Sequence, residues 1–599
     1  MNKRHIIDKI RELDGLTKDE KNYLADIVND NKQYGLVWEN KPEKVEEYLE
    51  SKLPILKEVK EKAIINDTEN KNYPNHILIE GDNLHSLTTL TFTHENKIDI
   101  IYIDPPYNTG KKDDFIYNDK YIDKEDTYRH SKWLSFMNKR LRIAKRLLKD
   151  DGVIFCSIGD DEIAQLILLF NEIFTETNQL GLISRVAKTA GDKGKYFAPS
   201  KDYILVYAKN KELIDDFKDA VNEALFKKIE TKGEKKGEKY RDDVAFYQSS
   251  LDTRPNQRYF IKAPDGSFLI PPGKSMPPKK EDGCKATPIQ GDKVWRWADT
   301  SYKEIEKREL LVFKKSNKTP LLDENGNQAK YNIYTKSYLK ERSLKGKSPR
   351  DFLDNFINRK GADFIKQYDV NFNYSKPLEL IEHLIKITDK PNNINVLDFF
   401  AGSGTTLHSV TKLNSEDDGK RTCVIATNNE NNICEDVTYP RIKRIFNLYK
   451  NNKGVEMPFF EKNNLRYYKP DYVERKPSLK NKKALTKLAT ELLCIRENCY
   501  YEITSQINNF KWNKLFTNKD NLYTYVIYND NHIDEAVEEL QNFIDNTEKK
   551  PEIKVYVFSK GQYPYTEDFD EIKEYIELCA LPDVIYKAYL NVLPKTAKL

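Results

Sequence analysis

The tetrapeptide "DPPY" places a carboxylate, two rigid residues and an aromatic ring in one turn, directly after the apolar run "IDIIYI". The run predicts a buried strand that ends at Asp104. Pro105 and Pro106 fix φ and remove two N–H donors, so that only carbonyl acceptors remain in the turn. Asp104 and the Pro105 carbonyl can together accept both hydrogens of an exocyclic amino group, and Tyr107 can lie flat on the ring that carries it.

Such an acceptor pair addresses a specific chemical difficulty. The amino nitrogen of adenine is a poor nucleophile because its lone pair is delocalised into the ring. Holding both N–H bonds favours a tetrahedral nitrogen whose lone pair points at an electrophile. A base in duplex DNA must first leave the stack, which costs a few kcal/mol, while stacking on one aromatic returns about 1 to 3 kcal/mol. Contacts to the base edge and the phosphates must supply the rest.

A glycine-containing loop forms the second candidate site. In "INVLDFFAGSGTTLHSV" an apolar strand containing Asp398 meets a loop with Gly402 and Gly404, and then a helical pattern. Such a loop lets a ligand approach the backbone, and the helix N-terminus offers free N–H groups. The stretch lacks a third glycine at GxGxxG spacing and lacks GK[ST], which argues against a triphosphate cradle.

An acid further along the chain suits a nucleoside ligand. Glu430 ends the strand-like run "RTCVIATNNE", 26 positions after Gly404 (430 − 404). Folds of this kind place an acid on the ribose hydroxyls about 20 residues after the glycine loop. Two simpler interpretations stay open at this point. In the first, Asp398 and Glu430 only cap neighbouring elements. In the second, the DPPY turn is only a stiff connection, in which Asp104 caps an element and Tyr107 packs against the core.

Composition limits the class of protein. The 599 residues exceed what one hydrophobic core supports, so several modules are expected. The net charge of +4 is too small to indicate a nucleic-acid partner by itself. No apolar run approaches the roughly 18 residues of a membrane span and no signal peptide is evident, which favours a cytoplasmic protein. Seven cysteines without a CxxC pair predict no metal site.

Strands alternating with helices must position both motifs. "HILIEGDNLHSL", "IDIIYIDPPY", the amphipathic "WLSFMNKRLRIAKRLLKDDG" and "GVIFCSIGDDE" predict an α/β fold with a parallel sheet covered on both faces. A lysine- and proline-rich segment then interrupts the pattern before it resumes. We predict a helical module at 1–70, the first half of the core at 71–185, an insert at 186–371, the second half at 372–454 and a C-terminal α/β domain at 455–599.

Together, "DPPY" and "DFFAGSGTT" resemble the amino-methyltransferases that use S-adenosylmethionine to methylate DNA bases. The order of the two motifs, with a long insertion between them, is similar to the β group of that family. Additional matches at "YGLVWEN", "IEGDNLHSL" and "NYSKPLELI" make the chain resemble the modification (Mod) subunit of a type III restriction-modification system. The resemblance implies a Rossmann-like sheet in circularly permuted motif order, interrupted by a target-recognition domain.

The resemblance also assigns roles to residues. It implies that Asp104, Pro105, Pro106 and Tyr107 hold a flipped adenine. It further implies a set of residues around the cofactor, among which Glu430 binds the ribose hydroxyls, Asp82 lies near the adenine of the cofactor and Lys376 belongs to a segment closing over its amino-acid end. This set is Asp82, Lys376, Asp398, Phe400, Ala401, Gly402, Ser403, Gly404, Thr405 and Glu430.

The implied function is adenine-N6 methylation of double-stranded DNA, because Asp at the first DPPY position usually accompanies adenine in this family. The family acts as a Mod homodimer, with or without a separate Res helicase-nuclease. Cytosine-N4 or RNA methylation is the alternative among enzymes, and a DNA-binding specificity module without catalysis is the alternative outside them. The insert carries side chains of the types that meet phosphates and bases, namely Arg254, Arg258, Arg296, Tyr259, Trp295 and Trp297.

Overall fold

A computed structural model describes residues 9, 38, 41–68, 71–110, 115–117, 120–122, 126–189, 196–249, 254, 256–507, 511–547, 549–561 and 563–593. Most of the predicted N-terminal helical module therefore lies outside the described residues, including nearly all of "YGLVWEN". The chain divides into two compact units. The second unit comprises Asp216–Pro349 and Ile387–Asp389, and the first unit contains the rest.

A ten-stranded mixed sheet is the centre of the first unit, and its strands come from widely separated parts of the chain. They are β1 (Lys52–Glu58), β2 (Asn75–Glu80), β3 (Ile98–Ile103), β4 (Leu148–Ile158), β5 (Gln179–Val186), β6 (Lys201–Ala208), β7 (Phe352–Leu353), β8 (Asn395–Asp398), β9 (Thr422–Thr427) and β10 (Asn464–Glu474). The spatial order is β1-β10-β2-β9-β8-β3-β4-β6-β5-β7. The six strands from β10 to β4 run parallel, whereas β1 and β6 pair antiparallel with their inner neighbours.

Helices cover both faces of this sheet, which explains why its central strands are apolar throughout. All six residues of β3 are buried. The helices are α1 (Lys44–Ser51), α2 (Asn83–His94), α3 (Arg129–Leu147), α4 (Ile163–Phe174), α5 (Asn358–Lys366), α6 (Leu378–Ile387), α7 (Thr405–Asp417) and α8 (Tyr439–Phe446). The predicted α/β class is confirmed, and the sheet unites the two halves of the core in the predicted permuted order.

Several strands of the sheet lie outside the predicted core segments. β1 belongs to the predicted helical module, β10 to the predicted C-terminal domain, and β6 and β7 to the predicted insert. β10 combines Arg, Tyr, Lys and Asp with few aliphatic residues, so its sequence does not look buried. Its first five residues are nevertheless buried, and all five pair with β2, whereas β1 pairs with the strand from Tyr468 onwards. This burial depends on pairing with a strand that is distant in the sequence, and the local sequence does not reveal it.

The C-terminal part of the first unit forms a five-stranded sheet. Its strands are β11 (Tyr501–Glu502), β12 (Asn513–Thr517), β13 (Leu522–Ile527), β14 (Glu552–Phe558) and β15 (Ile576–Leu581), in that spatial order. Its helices are α9 (Leu479–Leu488), α10 (Thr490–Glu497), α11 (Ile533–Asp545) and α12 (Asp583–Tyr589). α10 and α12 pack against α2. The Tyr589 hydroxyl donates to the Pro54 carbonyl at 2.9 Å and joins this region to β1.

The second unit has its own core. Lys228–Ile229, Lys239–Ala245, Leu311–Lys315 and Tyr331–Tyr338 form an antiparallel sheet. Trp295, Tyr259 and Phe246 are fully buried together. Arg258 is also fully buried, and its Nη1 donates to the carbonyls of Pro271 and Lys293 at 2.9 and 2.7 Å. Arg258, Tyr259 and Trp295 therefore stabilise this unit from within.

Among the described helices, none combines the length and the apolar character that a membrane span requires.

Arg140 joins three helices beneath the sheet edge. It is fully buried, and its Nη1 and Nη2 donate to the two carboxylate oxygens of Glu43 at 2.8 and 2.9 Å. Its Nε donates to Asn83 Oδ1 at 2.5 Å, and its guanidinium lies 3.5 Å from the centroid of the Phe136 ring. Glu43 is only 7% exposed. Removing Arg140 would leave a buried carboxylate without this partner.

We predict that Arg140→Met lowers the free energy of unfolding of the first unit by about 3 to 5 kcal/mol. Arg142→Met is the matched control, because the Arg142 side chain is 52% exposed and pairs with Glu172 at the surface. It should cost less than about 1 kcal/mol. Denaturant unfolding followed by circular dichroism measures both. Equal costs for the two variants would contradict the prediction.

Candidate active site

A cleft of about 800 Å³ opens at the carboxyl edge of the main sheet. The residues that line it follow the ends of β2, β3, β8 and β9, and others come from the segment before α6. Thirteen of the predicted site residues line this cleft: Asp82, Asp104, Pro105, Pro106, Tyr107, Lys376, Asp398, Phe400, Ala401, Gly402, Ser403, Thr405 and Glu430. Gly404 does not. A Cβ on Gly404 would lie 3.3 Å from the methyl group of Thr438, so this glycine allows α7 to pack closely against the start of α8.

Strand pairing brings the two motifs together. β3 and β8 are parallel neighbours, with Ile100 opposite Val396 and Ile101 opposite Leu397. Asp104 immediately follows the end of β3, and Asp398 ends β8. The two carboxylates therefore occupy the same edge of the sheet, where open α/β folds bind ligands.

Hydrogen bonds from neighbouring side chains fix the DPPY turn and the residue that follows it. Trp133 Nε1 donates to the Pro106 carbonyl at 2.8 Å. Asn108, with φ of 55°, is fully buried, and its Nδ2 donates to Glu162 Oε1 at 2.5 Å. His130 Nδ1 lies 2.6 Å from the same oxygen. Burial raises the pKa of Glu162, and the hydrogen bonds from Asn108 and His130 oppose that increase.

Tyr107 is held by a buried ion pair that the motifs do not include. Its hydroxyl donates to Asp202 Oδ2 at 3.3 Å, and Arg185 Nε donates to Asp202 Oδ1 at 2.7 Å. Arg185 is fully buried. A Cβ on Gly159 would lie 2.7 Å from the Tyr107 ring, so the ring packs directly on this glycine. Burial of the hydroxyl, followed by the carboxylates of Asp104 and Asp202, raises the pKa of Tyr107.

Sequence reasoning missed Asp202 and Arg185 because both lie outside the two motifs, next to or within the predicted insert. One signal was available. Asp202 begins the otherwise apolar run "DYILVYA", and a buried charge at a strand end requires a partner.

Lys376 contacts the DPPY motif rather than the glycine loop. Its Nζ lies 2.5 Å from Asp104 Oδ2 and 3.2 Å from the Tyr107 hydroxyl. It also lies 5.2 Å from the centroid of the Tyr107 ring. The other carboxylate oxygen of Asp104, Oδ1, is buried and has no hydrogen-bond partner among the residues that the structure describes. The cleft thus contains an unsatisfied acceptor beside an aromatic ring.

Asp398 anchors the start of the glycine loop. Its Oδ1 accepts from the Phe400 N–H at 2.9 Å, and its Oδ2 accepts from the Thr406 hydroxyl at 2.5 Å. Burial, with a smaller contribution from the Asp104 carboxylate, raises the pKa of Asp398 to about 7, whereas the two hydrogen bonds and Lys376 act in the opposite direction. Gly402 and Gly404 have φ of 48° and 76°, which glycine adopts without strain.

A buried arginine stabilises the glycine loop through hydrogen bonds. Arg441 Nη1 donates to Thr405 Oγ1 at 2.9 Å and to the carbonyl and hydroxyl oxygens of Ser403, both at 3.1 Å. The Ser403 hydroxyl donates to Ser375 Oγ at 3.1 Å. Burial lowers the pKa of Arg441 to about 9. No sequence motif indicated Arg441, which lies in the first turn of α8.

The two remaining acids lie at the mouth of the cleft. Asp82 caps α2 by accepting from the N–H groups of Leu84 and His85 at 2.7 and 3.2 Å, and its side chain is 45% exposed. Glu430 is exposed and begins a short 3₁₀ turn shortly after β9. The described residues contain no group of three or more His, Cys, Asp or Glu side chains arranged to hold a metal ion.

The family model described as DNA methylase (N6_N4_Mtase) matches residues 98–439, a region that contains the DPPY turn, the glycine loop and Glu430. The fold and this site define a methylase of the α/β class. The chain belongs to this DNA methylase family.

Curated relatives are similar over a comparable share of the chain. The Mod subunit of the type III restriction-modification enzyme EcoP15I from Escherichia coli is 32% identical over 396 residues, covering 58% of this chain and 57% of the relative. The type II methyltransferase M.KpnI from Klebsiella pneumoniae is 32% identical over 361 residues, covering 58% of this chain and 79% of the relative. The chain thus spans little more than half the length of the type III relative.

Solved structures are similar at a lower level. A putative DNA modification methylase of Thermus thermophilus, TTHA0409, complexed with S-adenosyl-L-methionine, is 13% identical, with a TM-score of 0.30 over 64% of this chain and 98% of that chain. The PvuII cytosine-N4-specific DNA methyltransferase is 10% identical, with a TM-score of 0.28 over 60% of this chain and 85% of that chain.

We predict that Asp398→Asn becomes increasingly stabilising, relative to wild type, between pH 5 and pH 8. The unfolded carboxyl ionises near pH 4, whereas the folded one keeps its proton up to about pH 7. The folded state therefore binds more protons in this interval, and the stability of wild type decreases as the pH rises through it. The difference in unfolding free energy between variant and wild type should increase by up to about 3 kcal/mol.

Asp417→Asn is the control for this prediction. Hydrogen bonds from Arg421 lower the pKa of Asp417, so its titration is complete below pH 5. Its effect on stability should therefore be constant from pH 5 to pH 8. Denaturant unfolding at several pH values measures both variants, and a pH-independent effect of Asp398→Asn would contradict the assignment.

Proposed function

We propose that the chain transfers a methyl group from S-adenosylmethionine to N6 of a flipped adenine in double-stranded DNA. We further propose that it is the modification and specificity subunit of a type III restriction-modification system. One observation carries the catalytic part of this proposal: the unsatisfied Asp104 Oδ1, the Tyr107 ring and the glycine loop line the same cleft.

The cleft fits the proposed cofactor by the chemistry of its side chains. Carboxylates at the ends of two strands, Asp82 and Glu430, suit the hydroxyl and amino groups of a nucleoside. The open backbone around Gly402 suits close approach by a ligand. The segment from Asp398 to Thr405 and Lys376 would hold the methionine and sugar portions. When bound, S-adenosylmethionine supplies an electrophilic methyl group.

The residues of the chain act on the substrate base. Tyr107 stacks on the ring of the adenine, and Asp104 and the Pro105 carbonyl accept the two N6 hydrogens. This arrangement directs the nitrogen lone pair away from the ring and towards the methyl donor. The transfer forms a bond from N6 to the methyl carbon, breaks the bond from sulfur to that carbon, and releases one N6 proton. Asp104 is the adjacent acceptor for that proton.

Adenine is favoured over cytosine because Asp104 occupies the first DPPY position, where the family that the motif resembles usually has Asp in its adenine-N6 enzymes. Cytosine N4 is also an exocyclic amino group beside a ring, and an acceptor pair of the same type would hold it. It therefore remains the alternative substrate atom, and RNA remains the alternative polymer.

The second unit is proposed as the target-recognition domain. Since Arg258, Tyr259 and Trp295 are core residues there, base and phosphate contacts must come from other side chains. Arg296 is exposed on this unit, with its Nε donating to the Ala245 carbonyl at 2.7 Å, and Trp297 is partly exposed. These two, together with the partly exposed Arg254, remain candidates among the residues predicted from the sequence.

The proposed partners follow from the type III relatives. They are double-stranded DNA, a second Mod subunit and a Res helicase-nuclease, which would supply the ATP site that the sequence lacks. A role in DNA modification also favours the cytoplasm as the compartment.

We predict that Asp104→Ala lowers the rate of methyl transfer on the order of 10³-fold, because one of the two amino acceptors is lost. DNA affinity should change less than about threefold, since the phosphate and base contacts that dominate it lie elsewhere. Single-turnover transfer of labelled methyl groups and fluorescence anisotropy measure the two quantities. Asp418→Ala, at a carboxylate with an 82% exposed side chain, should leave both unchanged. An active Asp104→Ala protein would refute the site assignment.

Product analysis tests the function directly. Plasmid DNA incubated with the chain and S-adenosylmethionine should yield N6-methyldeoxyadenosine after digestion to nucleosides, at one sequence context when the products are sequenced. N4-methyldeoxycytidine would instead support the alternative substrate. Methylation of RNA alone, or DNA binding without any product, would support the other two alternatives.

A further inference from the structure

We infer that Lys376 occupies the subsite of the substrate's amino group, and that its ammonium must turn to the α-carboxylate of the bound cofactor before the base can enter. Lys376 would then couple cofactor binding to base binding as a positioning residue. The inference rests on the proposed function and concerns the order of events in the same cleft.

The contacts of the Lys376 ammonium match those proposed for the target amino group. It donates a hydrogen bond to Asp104 Oδ2 at 2.5 Å, as the N6 group would. It lies over the Tyr107 ring, 5.2 Å from the centroid, on the side chain proposed to stack with the base. The side chain is only 10% exposed. A base and the lysine head cannot use this space together.

The electrostatic environment of Asp104 favours its ion pair with Lys376 when no base is bound. Its carboxylate is partly buried, and a second carboxylate, Asp398, lies on the neighbouring strand. A buried charge without a partner is costly, and the ammonium supplies the opposite charge. Among the described residues, Asp104 is the only carboxylate in ion-pair contact with Lys376. Another anion must therefore replace Asp104 when Lys376 leaves.

The backbone around Lys376 limits the movement to the side chain. Ser375 is bonded to the glycine loop, with its Oγ 3.2 Å from Thr405 Oγ1 and 3.1 Å from Ser403 Oγ. A Cβ on Gly361 would lie 2.4 Å from the Ser375 carbonyl and 2.6 Å from that of Lys376, so α5 packs tightly on this segment. The backbone of Lys376 thus lies beside the glycine loop, and its side chain extends from there to Asp104.

This position makes the cofactor carboxylate the second acceptor for the ammonium. An α-carboxylate bound beside the glycine loop competes with Asp104 for the same flexible head group. Its binding frees Asp104 and the face of Tyr107 for the base. The expected consequence is an ordered mechanism, in which the cofactor binds before the base enters.

Base entry can be measured without catalysis. A duplex carrying 2-aminopurine at the target position, located by the product sequencing described above, becomes fluorescent when that base leaves the stack. The wild-type chain is titrated with this duplex alone, with sinefungin, which carries the amino-acid carboxylate, and with 5′-methylthioadenosine, which lacks it. Calorimetry first establishes saturating concentrations of both nucleosides. We expect fluorescence on the order of tenfold higher with sinefungin than in the other two mixtures.

Lys376→Met removes the competing ammonium. In this variant the signal should be high without any nucleoside and should no longer distinguish sinefungin from 5′-methylthioadenosine. Lys149→Met is the control, because Lys149 pairs with Asp99, a residue that does not line the cleft, and it should behave as wild type. The comparison of nucleosides uses the wild-type chain and so holds even if Lys376→Met does not fold.

Three results would overturn the inference: equal wild-type fluorescence in all three mixtures, a signal with 5′-methylthioadenosine equal to that with sinefungin, or an unchanged dependence on sinefungin in a folded Lys376→Met protein. Failure of the proposed function is distinguishable. If the proposed function is wrong, the product analysis will yield no methylated nucleoside. If only the present inference is wrong, DNA methylation will persist and only the expected order of binding will not be observed.

Discussion

Two acidic side chains at the ends of adjacent parallel strands determine the properties of this cleft. Asp104 and Asp398 are brought to one edge by the pairing of β3 with β8, and burial together with the Asp104 carboxylate raises the pKa of Asp398. Neighbouring donors offset this repulsion: the Lys376 ammonium at Asp104, and the Thr406 hydroxyl and the Phe400 N–H at Asp398. Acceptors for a ligand are therefore available only where such partners are missing or can be displaced.

Rigid support surrounds these acids. The DPPY turn is held by Trp133 of α3 and by the buried Asn108, and the Tyr107 ring is held between Gly159 and the buried Arg185–Asp202 pair. Most of these supporting contacts lie away from the surfaces that line the cleft. Precise positioning of a reacting group depends on such supporting residues, because a flexible ring or carboxylate loses the benefit of proximity.

The glycine loop is supported in the same way. Within the part of the chain that the structure describes, the buried Arg441 donates no hydrogen bond to a carboxylate and instead donates to hydroxyl and carbonyl oxygens of the loop. Such an arrangement keeps positive charge behind the loop, where it favours an anionic group bound in front. Ser375 links this network to Lys376, so that the two halves of the site are physically continuous.

The sequence by itself determined the chemistry. An apolar run followed by Asp, Pro, Pro and Tyr specifies a buried strand and a rigid acceptor turn, and an apolar run followed by a glycine loop specifies a ligand-binding turn, because both depend on neighbouring residues only. The α/β class followed from the alternation of strands and helices. Asp104 to Tyr107, the loop that starts at Asp398, and Glu430 could therefore be named from local patterns. Asp82 and Lys376 were named only through the resemblance to the methyltransferase family.

Only the tertiary structure decided how these parts are joined. The order of the ten strands, the burial of β10, the Arg185–Asp202 pair and the contact between Lys376 and Asp104 all depend on residues that are separated in the chain. It also showed that Arg258 and Trp295, which look like nucleic-acid contacts, belong to a core. Burial and ion pairing are properties of the folded neighbourhood, and a charged residue has the same local sequence whether its partner is solvent, nucleic acid or another buried side chain.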